Sequence, residues 1–491
     1  MEPRETRSAP PAPGADERVA RAALGRTLEA ALERRLGPCR FEGWCRLAGG
    51  ASQETWSFNA VLESGERLEL VLRRAPGGRR GSSAVAPEVE AAVQRAMEGR
   101  GVPVASVRFV LDPEDGLGAG YVMDRLPGES IARRILRDPE LAAARSGLAR
   151  RCGEILARIH ATPVDRLPEL PLADGPSQLE QYRSIYESFD EPRPLFDVAF
   201  RRLRGSLPPA GSATLVHGDF RNGNLLVDAT GVRAVLDWEL AHRGDPMEDL
   251  GWLCVSSWRF GEVESPVGGF GSIEELVAGY RAAGGGEVDR ERVRAWQVFG
   301  TLKWGVMCMV QALGGGRRRA GGAAPVEKAA IGRRVSETEA DLARLLGPPG
   351  RATPEPAGSA ATGHGPRDER PTALELVESA RAFLLEELRP ELDDRRAFEA
   401  LVAANALGIV ARELELGPVH DGLERAGTIE LLGGGPELAG RSTAELARAL
   451  VRAVRSGALD ARDPRLLEHL RRSADRKLSI DNPRYRPIPE E

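Results

Sequence analysis

The chain has 491 residues, 42% hydrophobic and 29% charged, with a net charge of −5 and a pI of about 5.9. That length allows two or three domains, and that balance describes an ordinary soluble protein. There is no bulk basic field for nucleic acid, no apolar run of bilayer length and no signal-peptide core at the N-terminus, so a cytoplasmic protein with no nucleic-acid partner and no membrane span is expected. The five cysteines (Cys39, Cys45, Cys152, Cys254 and Cys308) are scattered without a CxxC pair, which fits reduced thiols and not metal ligation. Lysine is confined to Lys303, Lys328 and Lys477, so any cationic role in the first half falls to arginine.

In chain order, residues 1–17 read as a disordered Pro/Ala lead-in and residues 19–36 have helical periodicity. Between Trp44 and Arg74 two alternating runs flank Glu63-Ser64-Gly65-Glu66, a hairpin turn signal. Val89, Val93 and Met97 recur at four-residue spacing and predict a helix over 87–100, and strands follow at 107–112 and 120–125. From 139 to 345 helices are expected at 139–161, 178–204, 272–283, 288–313 and 325–346, interrupted by a hairpin around 215–238. Residues 347–370 are rich in Pro, Gly, Ala and Ser and read as a linker. Beyond it come two amphipathic helices and two or three more, ending in KLSIDNPRY. The pattern is α+β: a small sheet part (18–126), a larger mainly helical part (127–346), and a separate all-α domain (371–491) after the linker.

Residues Leu215 to Trp238 read LVHGDFRNGNLLVDATGVRAVLDW. Asp219 is followed five residues later by Asn224, and Asp237 follows a short hairpin. Phosphoryl transfer needs such a set: one carboxylate to meet the acceptor hydroxyl, and further oxygens to hold magnesium on nucleotide phosphates. His217 reads as a structural residue that fixes the Asp219 orientation. Upstream, Gly49-Gly50-Ala51-Ser52-Gln53 lies between two strand-like runs, where backbone N–H groups and the Ser52 hydroxyl can approach phosphates. His160 reads as a packing or capping residue, and the other histidines show no metal-ligand spacing. The tryptophans read mostly as core.

The catalytic segment resembles the signature of the aminoglycoside phosphotransferase family, small-molecule kinases of bilobal protein-kinase-like fold. Asp237-Trp238-Glu239, Gly244-Asp245-Pro246 and Asp249-Leu250-Gly251 continue the resemblance. Ser257-Trp258-Arg259-Phe260-Gly261 and Gly332-Arg333-Arg334 are similar to a narrower subgroup, which includes the kinase domains fused to acyl-CoA dehydrogenases. The resemblance implies ATP as co-substrate and magnesium as cofactor. It implies Asp219 as the catalytic acid–base residue, Arg221 at the transferring phosphate, and Asn224 and Asp237 as metal ligands. It implies Gly49, Gly50 and Ser52 as the nucleotide cradle and Met123 and Arg125 as the hinge beside adenine. Where the wider family has a strand lysine paired to a helix glutamate, this chain has Arg73, with Glu90 the best partner and Glu88 the second.

These residues lead to an ATP- and magnesium-dependent phosphotransferase acting on a hydroxyl of a small molecule, with a hydroxyacyl or acyl-CoA metabolite as the expected acceptor. An antibiotic such as an aminoglycoside, or an amino alcohol, is the alternative acceptor. The alternative class is a degenerate kinase that binds nucleotide or a partner, for which Arg73 is the one supporting feature. The C-terminal segment resembles a helical domain of unknown function, with docking on the kinase, recruitment of a protein partner or self-association as its candidate duties.

Overall fold

β1 (Cys39–Arg46), β2 (Glu54–Leu62), β3 (Arg67–Ala75), β4 (Val107–Val110) and β5 (Ala119–Asp124) form an antiparallel sheet in the order β1-β2-β3-β5-β4. The β2–β3 hairpin turns where the sequence predicts, with Leu62 N–H donating to Glu66 O at 2.9 Å and Gly65 at φ +84°. A residue with a side chain is strained there, so glycine sets the turn. This computed structural model describes residues 15–47, 53–75, 84–209, 211, 213–313, 326–348 and 370–489. The Gly49–Ser52 cradle, most of the linker and most of the lead-in lie outside the described residues.

Strand alternation sorts the sheet's two faces. Trp56, Phe58, Leu70, Leu72 and Val122 point one way and join Leu28 and Leu32 of α1 (Ala15–Leu36) in an apolar cluster. Each fully buried leucine or phenylalanine there contributes about 2 kcal/mol. Arg73 lies between Leu72 and Arg74 on β3 and so takes the opposite face, where α2 (Pro87–Glu98) packs. Pro87 starts that helix, and Glu88 and Glu90 occupy its first turn, where acids complement the helix dipole. Glu90 is on the buried side with Val93 and Met97. A carboxylate is thus carried into the fold, and it needs a partner there.

The C-terminal end of α1 is tied down by Asp115, which accepts from Arg34 at 2.5 Å and Arg35 at 2.7 Å. Burial pushes this carboxyl up, but the hydrogen bonds from Arg35, Arg34 and the Asp112 N–H outweigh it and hold its pKa at about 2.

Downstream, β6 (Thr214–Val216) pairs with β9 (His242–Gly244), and β7 (Leu225–Asp228) with β8 (Gly231–Val235). The predicted hairpin is therefore β7–β8, closed by an Asx turn in which Thr230 N–H donates to Asp228 Oδ1 at 2.7 Å. The β6–β9 pair brackets it. Three helices support this part: α3 (Leu148–His160), α4 (Met247–Leu253) and α5 (Ile273–Ala282). α3 and α5 meet through glycines. A Cβ at Gly153 would lie 2.1 Å from Leu276 O, and one at Gly279 would lie 1.9 Å from Arg150 O.

Compactness divides the chain into two units, Pro13–Ser177 with Leu207–Gln297, and Gln178–Ser206 with Val298–Glu491. The elements above belong to the first. In the second, α6 (Val335–Leu346), α7 (Asp394–Leu431), α8 (Thr443–Ser456) and α9 (Pro464–Asp481) are joined by the helix Pro194–Leu203. α6 packs on α9 and brings buried acids to partners: Glu339 accepts from Arg193 at 3.1 Å and Lys477 at 2.9 Å, and Asp341 accepts from the Tyr485 hydroxyl at 2.6 Å. The single helix predicted over 178–204 is two, Gly175–Glu187 and Pro194–Leu203. Asp190 at φ +49° and the prolines at 192 and 194 break it. The helix predicted over 325–346 is likewise two, Val326–Arg333 and Val335–Leu346. Among the described residues no helix is long and apolar enough to cross a membrane.

Gly279→Ala will destabilise the protein by about 2 kcal/mol, read as a lower thermal midpoint, although the same change in an open helix stabilises by about 1 kcal/mol. A second expectation concerns acid. The folded pKa of Asp115 is depressed from 3.8 to about 2, so its contribution is complete above 3.8 and is lost as pH falls through about 2. Urea unfolding midpoints followed across that window will fall less steeply in Asp115→Asn than in the parent.

Candidate active site

The loop between β6 and β7 is held by backbone hydrogen bonds to one buried side chain. Asp249, on α4, accepts from His217 N–H at 2.8 Å and Gly218 N–H at 3.0 Å. His160, the last residue of α3, adds a contact from Nε2 at 3.1 Å, and its Nδ1 meets the Tyr280 hydroxyl of α5 at 3.0 Å. Burial pushes the Asp249 carboxyl up, but the hydrogen bond and charge from His160, with the His217 N–H, outweigh it and hold its pKa below the usual range. His217 is wholly buried and kept neutral chiefly by burial, against the pull of Asp249, Asp219 and Asp237. Its partners set the tautomer. Nε2–H donates to Leu236 O at 3.1 Å, and Nδ1 accepts the Asp219 N–H at 3.2 Å. Histidine thus ties Asp219 to the strand end that carries Asp237.

The Asp219 carboxylate is fixed by three side chains. Oδ1 accepts from Trp252 Nε1 at 2.8 Å and from Arg221 Nε at 3.0 Å, and Oδ2 accepts from Asn224 Nδ2 at 2.6 Å. Asn224 Nδ2 also donates to the Asp219 carbonyl at 3.0 Å, so its amide nitrogen is committed to Asp219 and Oδ1 is its other end. The Arg221 guanidinium lies 4.5 Å from the centre of the Trp258 ring, which itself packs on Trp252. Both rings are nearly buried, and they also form one wall beside Asp219 and Arg221.

Asp237 has φ 68° and ψ 67°, a left-handed conformation that few residues with side chains adopt and that functional turns often hold. Its Oδ1 accepts from the terminal nitrogen of Arg73. Arg73 Nε lies 3.1 Å from Glu90 Oε1 and 2.9 Å from Gln53 Oε1, and a terminal nitrogen lies 3.6 Å from Glu239. Burial works against the Arg73 charge, but Glu90, Asp237 and Glu239 more than offset it and raise its pKa further. Burial pushes the Glu90 carboxyl up, with Arg73 pulling the other way. Of the two glutamates named from sequence, Glu90 meets Arg73.

Met123 sits within β5 opposite Val71 on one side and Val107 on the other. Arg125 extends that ladder: its N–H donates to Glu69 O at 2.9 Å, and its side chain pairs with Glu69 at 2.9 Å. The Arg125 N–H is therefore engaged by the sheet, and an adenine edge would have to use other groups of this segment. Among the described residues no group of three or more His, Cys, Asp or Glu is arranged to hold a metal. Asn224 and Asp237 supply an amide oxygen and a carboxylate, hard donors of the kind magnesium takes alongside substrate phosphates.

The sequence gives no site role to His160, Asp249 or Trp252, and places Gln53 only as the last residue of the Gly49–Gln53 run. The signal for His160 and Trp252 was a polar atom on an otherwise apolar helix face, which needs a partner when buried. Arg259 donates to the Cys254 carbonyl at 2.9 Å and the Val263 carbonyl at 3.0 Å and serves the local fold.

Comparison with known proteins adds the following. Residues 43–296 match the model of the phosphotransferase enzyme family, and residues 390–485 match a domain of unknown function. The chain is similar to mouse acyl-CoA dehydrogenase family member 10, at 32% identity over 204 residues, which are 38% of this chain and 18% of the mouse protein. It is similar to chicken acyl-CoA dehydrogenase family member 11, at 30% identity over 237 residues, 43% of this chain and 29% of that protein. The matched stretch spans less than a third of the length of either relative. Among solved structures, the macrolide 2'-phosphotransferase of Brachybacterium faecium aligns at 20% identity with a TM-score of 0.43, covering 63% of this chain and 97% of that one.

Asp249→Asn places an NH2 against donors in a buried site and will destabilise the protein by about 3 kcal/mol. A thermal melt checks this, and His160→Ala will shift it in the same direction. An unchanged midpoint in both variants would show that the loop does not hang from Asp249.

Proposed function

Because this chain belongs to the phosphotransferase enzyme family, we propose that it is an ATP- and magnesium-dependent small-molecule kinase whose acceptor is a hydroxyl on an acyl chain, either a hydroxy acid or its CoA thioester. The observation that carries the reading is the triple fixation of the Asp219 carboxylate by Trp252, Arg221 and Asn224. A carboxylate so fixed is pre-aimed, and in phosphoryl transfer positioning matters more than basicity.

In this reading Asp219 orients the acceptor hydroxyl and takes its proton. The hydroxyl oxygen forms a bond to the γ-phosphorus as the bond to the bridging oxygen breaks, and ADP leaves. Arg221, two residues on and steadied over Trp258, meets the charge on the moving phosphoryl group. Arg73 grips the non-transferred phosphates with a fork that cannot lose its proton. Asn224 and Asp237 would hold magnesium, which when bound neutralises phosphate charge. Arg73 and Asp237 are ion-paired in the free protein, so nucleotide and metal would exchange one partner for another at each of them.

The acyl acceptor is supported by the relatives, which carry acyl-CoA dehydrogenase names. The degenerate-kinase reading has only arginine at position 73 behind it, and Arg73 has the glutamate partner that a working cation requires.

Asp219→Ala will lower kcat at least about a thousandfold with the nucleotide KM little changed. A panel of hydroxyacyl-CoAs, free hydroxy acids, amino alcohols and antibiotics, scored by acceptor-dependent ADP release, tests the substrate. Stimulation by hydroxyacyl compounds is expected. Stimulation confined to the antibiotics would overturn the acyl reading and leave the kinase reading standing.

A further inference from the structure

We propose that Gln53 is a positioning residue for Arg73, and that its amide is what allows an arginine to serve as the phosphate-gripping cation. The inference rests on the reading of Arg73 given above. Gln53 directly follows the Gly49–Ser52 segment and is 8% exposed. Its Oε1 accepts from Arg73 Nε at 2.9 Å. Its Nε2 donates to Glu90 Oε2 at 3.1 Å and to Glu239 Oε2 at 3.2 Å. One amide therefore touches the cation and two of the acids around it.

The need for this amide follows from the shape of arginine. A lysine ammonium is a point charge at the end of its stem with three donors that rotate freely. A guanidinium carries an additional N–H on its flank, at Nε, and its plane is rigid. Whatever accepts from Nε decides where the terminal nitrogens point. Here Nε–H donates to Gln53 Oε1, Glu90 Oε1 lies 3.1 Å from Nε as an ion pair, and the terminal nitrogens face Asp237 and Glu239. The donor half of the same amide sits between Glu90 and Glu239 and relieves the repulsion between two carboxylates that share one cation. Without it, Nε keeps only Glu90, the fork is free to tilt, and Glu239 loses a fixed donor. Gln53 thus couples β3 and α2 to the short 3-10 turn Trp238–Leu240 that follows Asp237.

The test is a mutant cycle on the full chain with Gln53→Ala, Arg73→Lys and the double variant. Binding of a fluorescent ATP analogue with magnesium is measured by titration, alongside the slow hydrolysis of ATP to ADP in water, so that no acceptor is needed. Gln53→Ala is expected to weaken nucleotide binding roughly tenfold, the effect of losing a hydrogen bond to a charged group. In the Arg73→Lys background, which has no Nε–H, the same change is expected to have about a twofold effect or less. An equal loss in both backgrounds would mean that Gln53 merely supports the fold, and would overturn the inference. So would unchanged binding in Gln53→Ala. Should Gln53→Ala fail to fold, Gln53→Asn, one methylene shorter, is read against the same cycle. Arg73→Ala separates the two levels: if it leaves nucleotide binding intact, the role of Arg73 fails. If it abolishes binding while Gln53→Ala does nothing, only the role of Gln53 fails.

Discussion

The carboxylate of Asp249 accepts from two consecutive backbone N–H groups, those of His217 and Gly218, and from the His160 ring. A loop backbone has no regular ladder to hold it, and this buried ion supplies the missing partners. Because α4 carries Asp249 and α3 carries His160, the loop inherits its position from two helices rather than from its own chain. The glycine contact between α3 and α5 then matters for chemistry as well as for packing. It sets how close Tyr280 of α5 comes to His160, and so the ring angle that reaches Asp249.

From that anchor the site is built outward by side chains that each serve two neighbours. His217 joins the Asp219 N–H to the Leu236 carbonyl, one residue before Asp237. Asn224 turns its side-chain nitrogen to Asp219, while its backbone carbonyl receives the Leu236 N–H. Asp237, in its left-handed turn, meets Arg73 of β3. The loop residue, the strand-end aspartate and the sheet arginine are therefore one hydrogen-bonded chain. A shift at any point is felt at the others, since such networks are not additive.

The parts of this arrangement that were legible in the sequence are the local ones. The β2–β3 turn, α2, the β7–β8 hairpin and the trio Asp219, Asn224 and Asp237 lie within short windows with clear periodicity or spacing. Arg73 with Glu90 was legible through the family resemblance, which places a strand cation opposite a helix glutamate, and through the absence of lysine from this part of the sequence. The remainder depends on contacts across long sequence separations: His160 and Asp249 are 89 residues apart, and Gln53 and Glu239 are 186 apart. A histidine or tryptophan on an apolar helix face looks the same in sequence whether it fills space or holds a buried carboxylate. The β6–β9 pair is not legible in the sequence, because three-residue strands carry too little alternation. The helix expected over 178–204 divides because Asp190 and the prolines at 192 and 194 break a run whose apolar spacing continues on both sides.

Arginine at position 73 has a chemical consequence of its own. Reagents that map nucleotide sites of kinases by acylating or sulfonylating an amine need a lysine beside the phosphates. The unit that holds this site, Pro13–Ser177 with Leu207–Gln297, contains no lysine at all. A guanidinium does not react under those conditions, because it keeps its proton and offers no nucleophilic nitrogen. Amine-directed probes of that kind would therefore pass over the cluster around Arg73, and the lysines of this sequence, Lys303, Lys328 and Lys477, all lie in the other unit.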